Sequence, residues 1–184
     1  MNNIEHVTKL MIEKGTVADI DEMEQFYNDI LNSLEQGVNY PGWKKGIYPT
    51  KEGAVHGIKC DDLLIARYNN EIVGSIILNH IIVKGYETAP WNIYATDDEI
   101  YVVHTLAVHP KYAKNGVGSQ LLEFAEEYGR KNNIKALRLD VYEHNTPAIR
   151  LYEKCGYKYI DKVDLGYGAY GLDWYLLFEK ILEE

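Results

Sequence analysis

The sequence predicts a mixed α/β (α+β) fold: a mostly antiparallel twisted sheet holding one central parallel pair of strands, flanked by helices. Three observations carry this. Residues 99–108 and 136–142 read as strands, and between them 116–132 repeats apolar residues at helical spacing (Val117, Leu121, Leu122, Ala125, Tyr128), which makes a βαβ unit with parallel strands. The other strand candidates read as antiparallel, which makes the sheet mixed. Finally, 184 residues with 46% apolar and 26% charged side chains suit one folded domain with a core that needs no staples.

The elements follow in order. A first strand is expected around residues 7–14. Residues 18–36 form a helix, with Ile20, Met23, Phe26/Tyr27, Ile30 and Leu34 on one face and Asp19 or Asp21 as its cap. The stretch 37–60 is rich in glycine and aromatic residues, with a short helix from Thr50. Strands 63–68 and 72–83 flank Asn69-Asn70, a tight hairpin turn. Residues 84–98 read as a loop. After the βαβ unit comes a short helix, 145–155, with Pro147 in its first turn and Gly156 as its stop. Strands 157–163 and 172–181 close the chain. No repeat, low-complexity tract or linker divides it.

Composition excludes several classes. No apolar run approaches the roughly 18 residues of a membrane span, and the N-terminus lacks the basic-then-apolar pattern of a signal peptide. Cys60 and Cys155 match neither a metal-ligand spacing nor a disulfide framework. A cytoplasmic setting, no membrane partner and no metal are therefore expected. The net charge of −9 argues against a nucleic-acid partner. The charge is uneven: residues 109–162 hold 10 basic and 7 acidic side chains, whereas 1–108 hold 8 and 16, and 163–184 hold 1 and 5. One site for a phosphorylated ligand and another for a cationic one would give this pattern; so would charges that only solvate the surface.

The stretch 104–118, HTLAVHPKYAKNGVG, carries the most chemistry. A strand ends at His109-Pro110, and a loop with Lys111 and Lys114 leads to Gly116, Gly118 and an amphipathic helix. Glycine permits close backbone approach, and the first amides of a helix lack intrahelical partners and favour an anion. A plain glycine turn into a helix is the alternative, since the spacing is neither G-x-G-x-x-G nor that of a P-loop.

Two segments together resemble the GNAT superfamily of N-acetyltransferases. Ala113-Lys114-Asn115-Gly116-Val117-Gly118, after Val108-His109-Pro110, resembles that family's acetyl-CoA motif, Arg/Gln-x-x-Gly-x-Gly/Ala after a strand ending V-x-P; Ala113 departs from its first position. NTPAIRLYEKCGY, 145–157, matches N-x-x-A-x-x-x-Y-x-x-x-G-F/Y at Asn145, Ala148, Tyr152, Gly156 and Tyr157. The resemblance implies the acyl-CoA N-acyltransferase fold, its parallel strands splayed by a bulge at the cofactor site. It implies one N-acetyltransferase domain over 1–184, with 1–98 mainly the acceptor side, 99–163 the acetyl-CoA-binding core and 164–184 the closing strand. Coenzyme A would bind through the backbone of Leu106, Ala107 and Val108, through the motif Ala113, Lys114, Asn115, Gly116, Val117, Gly118 and Ser119, whose amides from Lys114 to Ser119 would hold the pyrophosphate, and through Asn145. Asn145 would equally cap its helix.

The implied reaction is transfer of an acetyl group from acetyl-CoA to a primary amine, by direct attack through a tetrahedral intermediate. A small-molecule amine is favoured; a protein or peptide acceptor, or a non-catalytic acyl-CoA sensor, are the rivals, and a homodimer is allowed. Tyr152 would also touch the cofactor and protonate the leaving thiolate, a phenol being a reasonable donor; packing as a core aromatic is its other reading. For the base, His104 is the first candidate, against Asp140, Glu143, Glu99, Asp98 or water. Tyr40, Trp43, Tyr48, Trp91, Tyr94, Tyr167, Tyr170 and Trp174, with Asp97, Asp98 and Asp173, would line an acceptor pocket or form a satellite hydrophobic cluster. Cys155 reads as packing.

Overall fold

The computed structural model describes residues 9–182. Its strands are β1 (Met11–Lys14), β2 (Leu63–Tyr68), β3 (Glu71–Asn79), β4 (Ile100–Val108), β5 (Ala136–Tyr142), β6 (Lys158–Val163) and β7 (Tyr175–Ile181). The helices are α1 (Ile20–Gln36), α2 (Lys51–Lys59), α3 (Val117–Lys131) and α4 (Thr146–Lys154). One sheet runs in the order β1-β2-β3-β4-β5-β7-β6. β4 and β5 are parallel, and the other registers are antiparallel, so the mixed sheet with one parallel pair is as expected. Residues 7 and 8 of the expected first strand lie outside the described residues. β3 ends at Asn79 rather than near 83, and β7 starts at Tyr175 rather than 172.

The chain forms two compact units. The first takes the chain up to Asn39, Trp43–Ile77 and Thr105–Phe124. Its core joins Met23, Phe26, Tyr27 and Ile30 of α1 with Ala54, Leu63, Ile65, Ile72 and Ala107. The helical spacing of those α1 residues builds the face they bury. A capping box precedes α1, with Thr16 N and Oγ1 both 2.7 Å from the Asp19 carboxylate. Glu22 then ties α1 to the sheet by accepting from Ile72 N at 2.8 Å. The hairpin turn is Asn69-Asn70, both left-handed at φ 50° and 65°, which asparagine tolerates. Gly74 lets α3 approach β3: a Cβ there would lie 2.8 Å from Val117 and 2.9 Å from Leu121.

The second unit takes Tyr40–Gly42, Leu78–His104 and the chain from Ala125 onward. Here β4 pairs with β5 from Ile100↔Ala136 to Val103↔Leu139, while β5 pairs with β7 along its whole length to Tyr142↔Tyr175. A buried ion pair pins the loop that follows β3. Arg138 Nε donates to Glu179 at 2.9 Å, another guanidinium nitrogen donates to Ile93 O at 3.1 Å, and the guanidinium stacks 4.2 Å from the Trp91 ring. The other Glu179 oxygen accepts from Asn92 N at 2.9 Å. Both charges are therefore paired and hydrogen-bonded, the condition under which burial is tolerated. The loop delivers Tyr86 into a core with Val102 and Leu177.

Candidate active site

In the first unit, β4 runs through Leu106, Ala107 and Val108 to a turn. His109 N bonds Val73 O at 2.9 Å, and His109 Nδ1 accepts from Lys111 N at 3.2 Å. His109 is thus a strand-exit residue, as expected. Lys114 and Gly116 are left-handed at φ 65° and 84°, and α3 begins at Val117. A Cβ on Gly116 would meet nothing nearer than Gln120 Nε2 at 3.9 Å, so this glycine serves backbone conformation and leaves its outer side open. The first amides of α3, at Val117, Gly118 and Ser119, have no intrahelical carbonyl to bond. No acidic residue occurs between Glu99 and Glu123. An open glycine turn, helix amides and a stretch free of carboxylates fit a polyanion such as the pyrophosphate of coenzyme A. Lys111 contributes less than its sequence position suggests, because it pairs with Glu71 at 3.5 Å.

β4 also holds the feature that sequence reasoning did not locate. Thr105 is left-handed at φ 44°, an outlier for a β-branched residue, and it is buried. Its hydroxyl is hydrogen-bonded to that of Tyr48. Pattern alone would place glycine, not threonine, at such a φ.

The second unit holds the acid and base candidates. Tyr152, on α4, is 6% exposed, with its ring 5.9 Å from Tyr157 and 6.2 Å from Phe178. Asn145 caps α4, accepting from Ala148 N at 3.4 Å. Asp140 accepts from the Tyr86 hydroxyl at 2.9 Å. Burial pushes its carboxyl up to about 6, against the Tyr86 hydrogen bond that pulls it down. Tyr86 is itself held protonated, its phenol raised well above the usual range by burial and then by Asp140; Tyr152 adds to that field. His104 Nε2 lies 3.1 Å from Asn79 Oδ1, an oxygen that can only accept, which makes Nδ1 the basic nitrogen. Because Val102 is in register with Arg138, strand alternation carries His104 and Asp140 onto one face just past the last paired residues.

Two of the other carboxylate candidates are engaged elsewhere. Glu143 is 2.5 Å from Lys162 Nζ. Glu99 is 2.5 Å from Lys135 Nζ, and that contact with the Thr96 amide holds it below the usual range. The expected acceptor aromatics do not form one group. Trp43 packs on the first unit's core, and Trp91 on the second's. Tyr94 is 92% exposed, and Tyr167, Tyr170 and Trp174 are also exposed. Cys155 ends α4, with its carbonyl accepting from Lys180 Nζ at 2.6 Å, in keeping with a packing role. Among the described residues no His, Cys, Asp or Glu cluster could hold a metal, and no helix is long and apolar enough to cross a membrane.

Residues 24–157 match the family model described as Acetyltransferase (GNAT) family. A streptothricin acetyltransferase of Escherichia coli is 33% identical over 89 residues, which are 48% of this chain; the match spans 42% of that protein, under half its length. Solved structures with the same fold include an acetyltransferase of the GNAT family from Streptococcus pneumoniae, with 24% identity, a TM-score of 0.69 and coverage of 95% of this chain and 100% of that one. Another, from Listeria monocytogenes 4b F2365, has 15% identity, a TM-score of 0.73 and coverage of 94% and 95%. At these identities the structural likeness is one of fold.

Proposed function

The chain belongs to the acetyltransferase (GNAT) family, and from that premise we propose that it transfers an acetyl group from acetyl-CoA to the primary amine of a small molecule. The observation that carries this reading is the open turn at Lys114–Gly116 leading into the free amides of α3. Amides at 114–119 would hold the pyrophosphate, and Leu106, Ala107 and Val108 would hold the pantetheine arm through their backbone groups. Asn145 would add a hydrogen bond while capping α4. Acetyl-CoA supplies the activated acyl thioester. Backbone N–H groups of β4 would polarise its carbonyl, and Tyr152 would protonate the departing thiolate.

The amine must lose a proton before it attacks. Asp140 supports that role best, because it is the carboxyl held near 6, and Tyr86 fixes one of its oxygens. His104 is the second reading, supported by the tautomer that Asn79 imposes. A small acceptor is favoured by the 33% identity with a streptothricin acetyltransferase, although over only part of either chain. A cationic acceptor is in keeping with the acidic surplus outside residues 109–162.

Thiol release from acetyl-CoA, followed with a panel of small amines and N-terminal peptides, tests the reading. Release with one class of small amine is expected, and release with peptides alone would move the assignment to a protein acceptor. Tyr152→Phe should lower kcat by roughly a hundredfold, the lower range for general acid catalysis, with the Kd of coenzyme A nearly unchanged. Unaltered turnover would remove Tyr152 from the mechanism.

A further inference from the structure

We propose that Tyr48 is a positioning residue for the transfer reaction: its hydroxyl, bonded to that of Thr105, holds β4 in the left-handed turn that directs the backbone of Leu106–Val108 toward the acyl group. The proposal rests on the acetyl-transfer reading for its kinetic consequence but not for its structural one.

The argument starts at Thr105. A β-branched residue at φ 44° is strained, and nothing in the local sequence relieves this, since no glycine occurs between Gly85 and Gly116. A neighbour must therefore over-determine the conformation. The Thr105 side chain is buried, and its hydroxyl meets the Tyr48 hydroxyl. Were Thr105 to relax to an extended φ, that contact would be lost and a buried hydroxyl stranded. Tyr48 is well fixed for this task. Its amide bonds Lys44 O at 3.0 Å, its ring meets Trp43 edge-on at 5.7 Å, and two residues later Thr50 caps α2 by accepting from Gly53 N at 3.1 Å. Within the first unit, the segment between α1 and α2 thus reaches β4 through one side chain.

A left-handed residue inside a strand turns its flanking peptide planes out of the ladder, which leaves N–H and C=O groups unpaired. Here the two flanking planes are 104–105 and 105–106, so the Leu106 N–H, the first group assigned to the pantetheine arm, is among those turned. Tyr48 touches neither cofactor nor acceptor in this account; it acts through Thr105.

The test uses glycine, which adopts a left-handed φ without help. Tyr48→Phe should lower kcat roughly tenfold, the equivalent of about 1.4 kcal/mol of lost positioning, with the KM for acetyl-CoA within about threefold. Thr105→Ala should do the same. Thr105→Gly should stay near wild type, and the double variant Tyr48→Phe/Thr105→Gly should recover the activity that Tyr48→Phe lost. Full activity in Tyr48→Phe, or no rescue in the double variant, overturns the proposal. A readout on the protein alone accompanies the kinetics: the Cα and Cβ chemical shifts of Thr105 should leave left-handed values in Tyr48→Phe. Unmoved shifts overturn the clasp whether or not any amine is acetylated. If the wild type releases no thiol with any amine, yet Tyr48→Phe shows the shift change, the acetyl-transfer reading is overturned and the clasp stands.

Discussion

At Asp140, the conformation that serves chemistry opposes the one that serves stability. Its carboxyl is raised from 3.8 to about 6 because burial disfavours the anion. A folded-state value above the unfolded one means that the folded protein binds the extra proton between pH 4 and 6, so this group's contribution to stability falls as pH rises through that window and stays low above it. Arg138 on the same strand is committed to Glu179, and the hydrogen bond from Tyr86 offsets the penalty only in part. Asp140→Asn should therefore raise Tm at pH 8 and leave it nearly unchanged at pH 4, while kcat/KM falls. The acidic limb of kcat/KM in the wild type should lie near 6, with activity gained as pH rises through it. That limb should vanish in Asp140→Asn and persist in His104→Gln. If it vanishes instead in His104→Gln, the base is His104. Composition could not have separated these two residues, because the shift comes from burial in the folded chain, and the hydrogen-bond partner that opposes it, Tyr86, is 54 positions away in sequence.

At the level of elements, the features that depend on local sequence were legible. The face of α1, the Asn69-Asn70 hairpin, β5 and the cap and stop of α4 all follow from periodicity or turn chemistry within a few residues, and each lies where the pattern puts it. What was not legible depends on partners far along the chain. The end of β3 is a local exception: Asn79 Oδ1 accepts from Ile81 N at 3.0 Å, a turn that the apolar run through 83 conceals. The left-handed Thr105 needs Tyr48, and the approach of α3 needs Gly74. The two glycines of this region make a discriminating pair. Gly116→Val imposes a left-handed strain of about 1–2 kcal/mol but meets open space, so the Kd for coenzyme A should weaken roughly tenfold with a small change in Tm. Gly74→Val drives a side chain into Val117 and Leu121, so Tm should fall strongly as well. An unchanged Kd in Gly116→Val, measured by calorimetry, would remove the turn from the binding site.

For the molecule as a whole, the distribution of charge takes on a different meaning once the partners are known. The segment 109–162 counts as basic, yet half of its ten cations lie in ion pairs: Lys111 with Glu71, Arg130 with Glu126, Lys135 with Glu99, Arg138 with Glu179 and Lys162 with Glu143. Three of those carboxylates lie outside the segment, so acidic residues elsewhere neutralise what looked like a block of positive charge. Of the two lysines in the turn's own sequence, Lys114 remains, and an exposed lysine is worth at most about 1 kcal/mol. Recognition of a polyanionic cofactor must then fall on backbone amides, whose dipoles at close range are screened far less by salt than separated surface charges are. The Kd for coenzyme A should accordingly rise by no more than about threefold between about 0.05 and about 0.5 M sodium chloride, and Lys114→Ala should weaken binding by no more than about fivefold. A loss of a hundredfold or more over that salt range would mean that lysines, not amides, carry the site, and would return the basic segment to the role its composition first suggested.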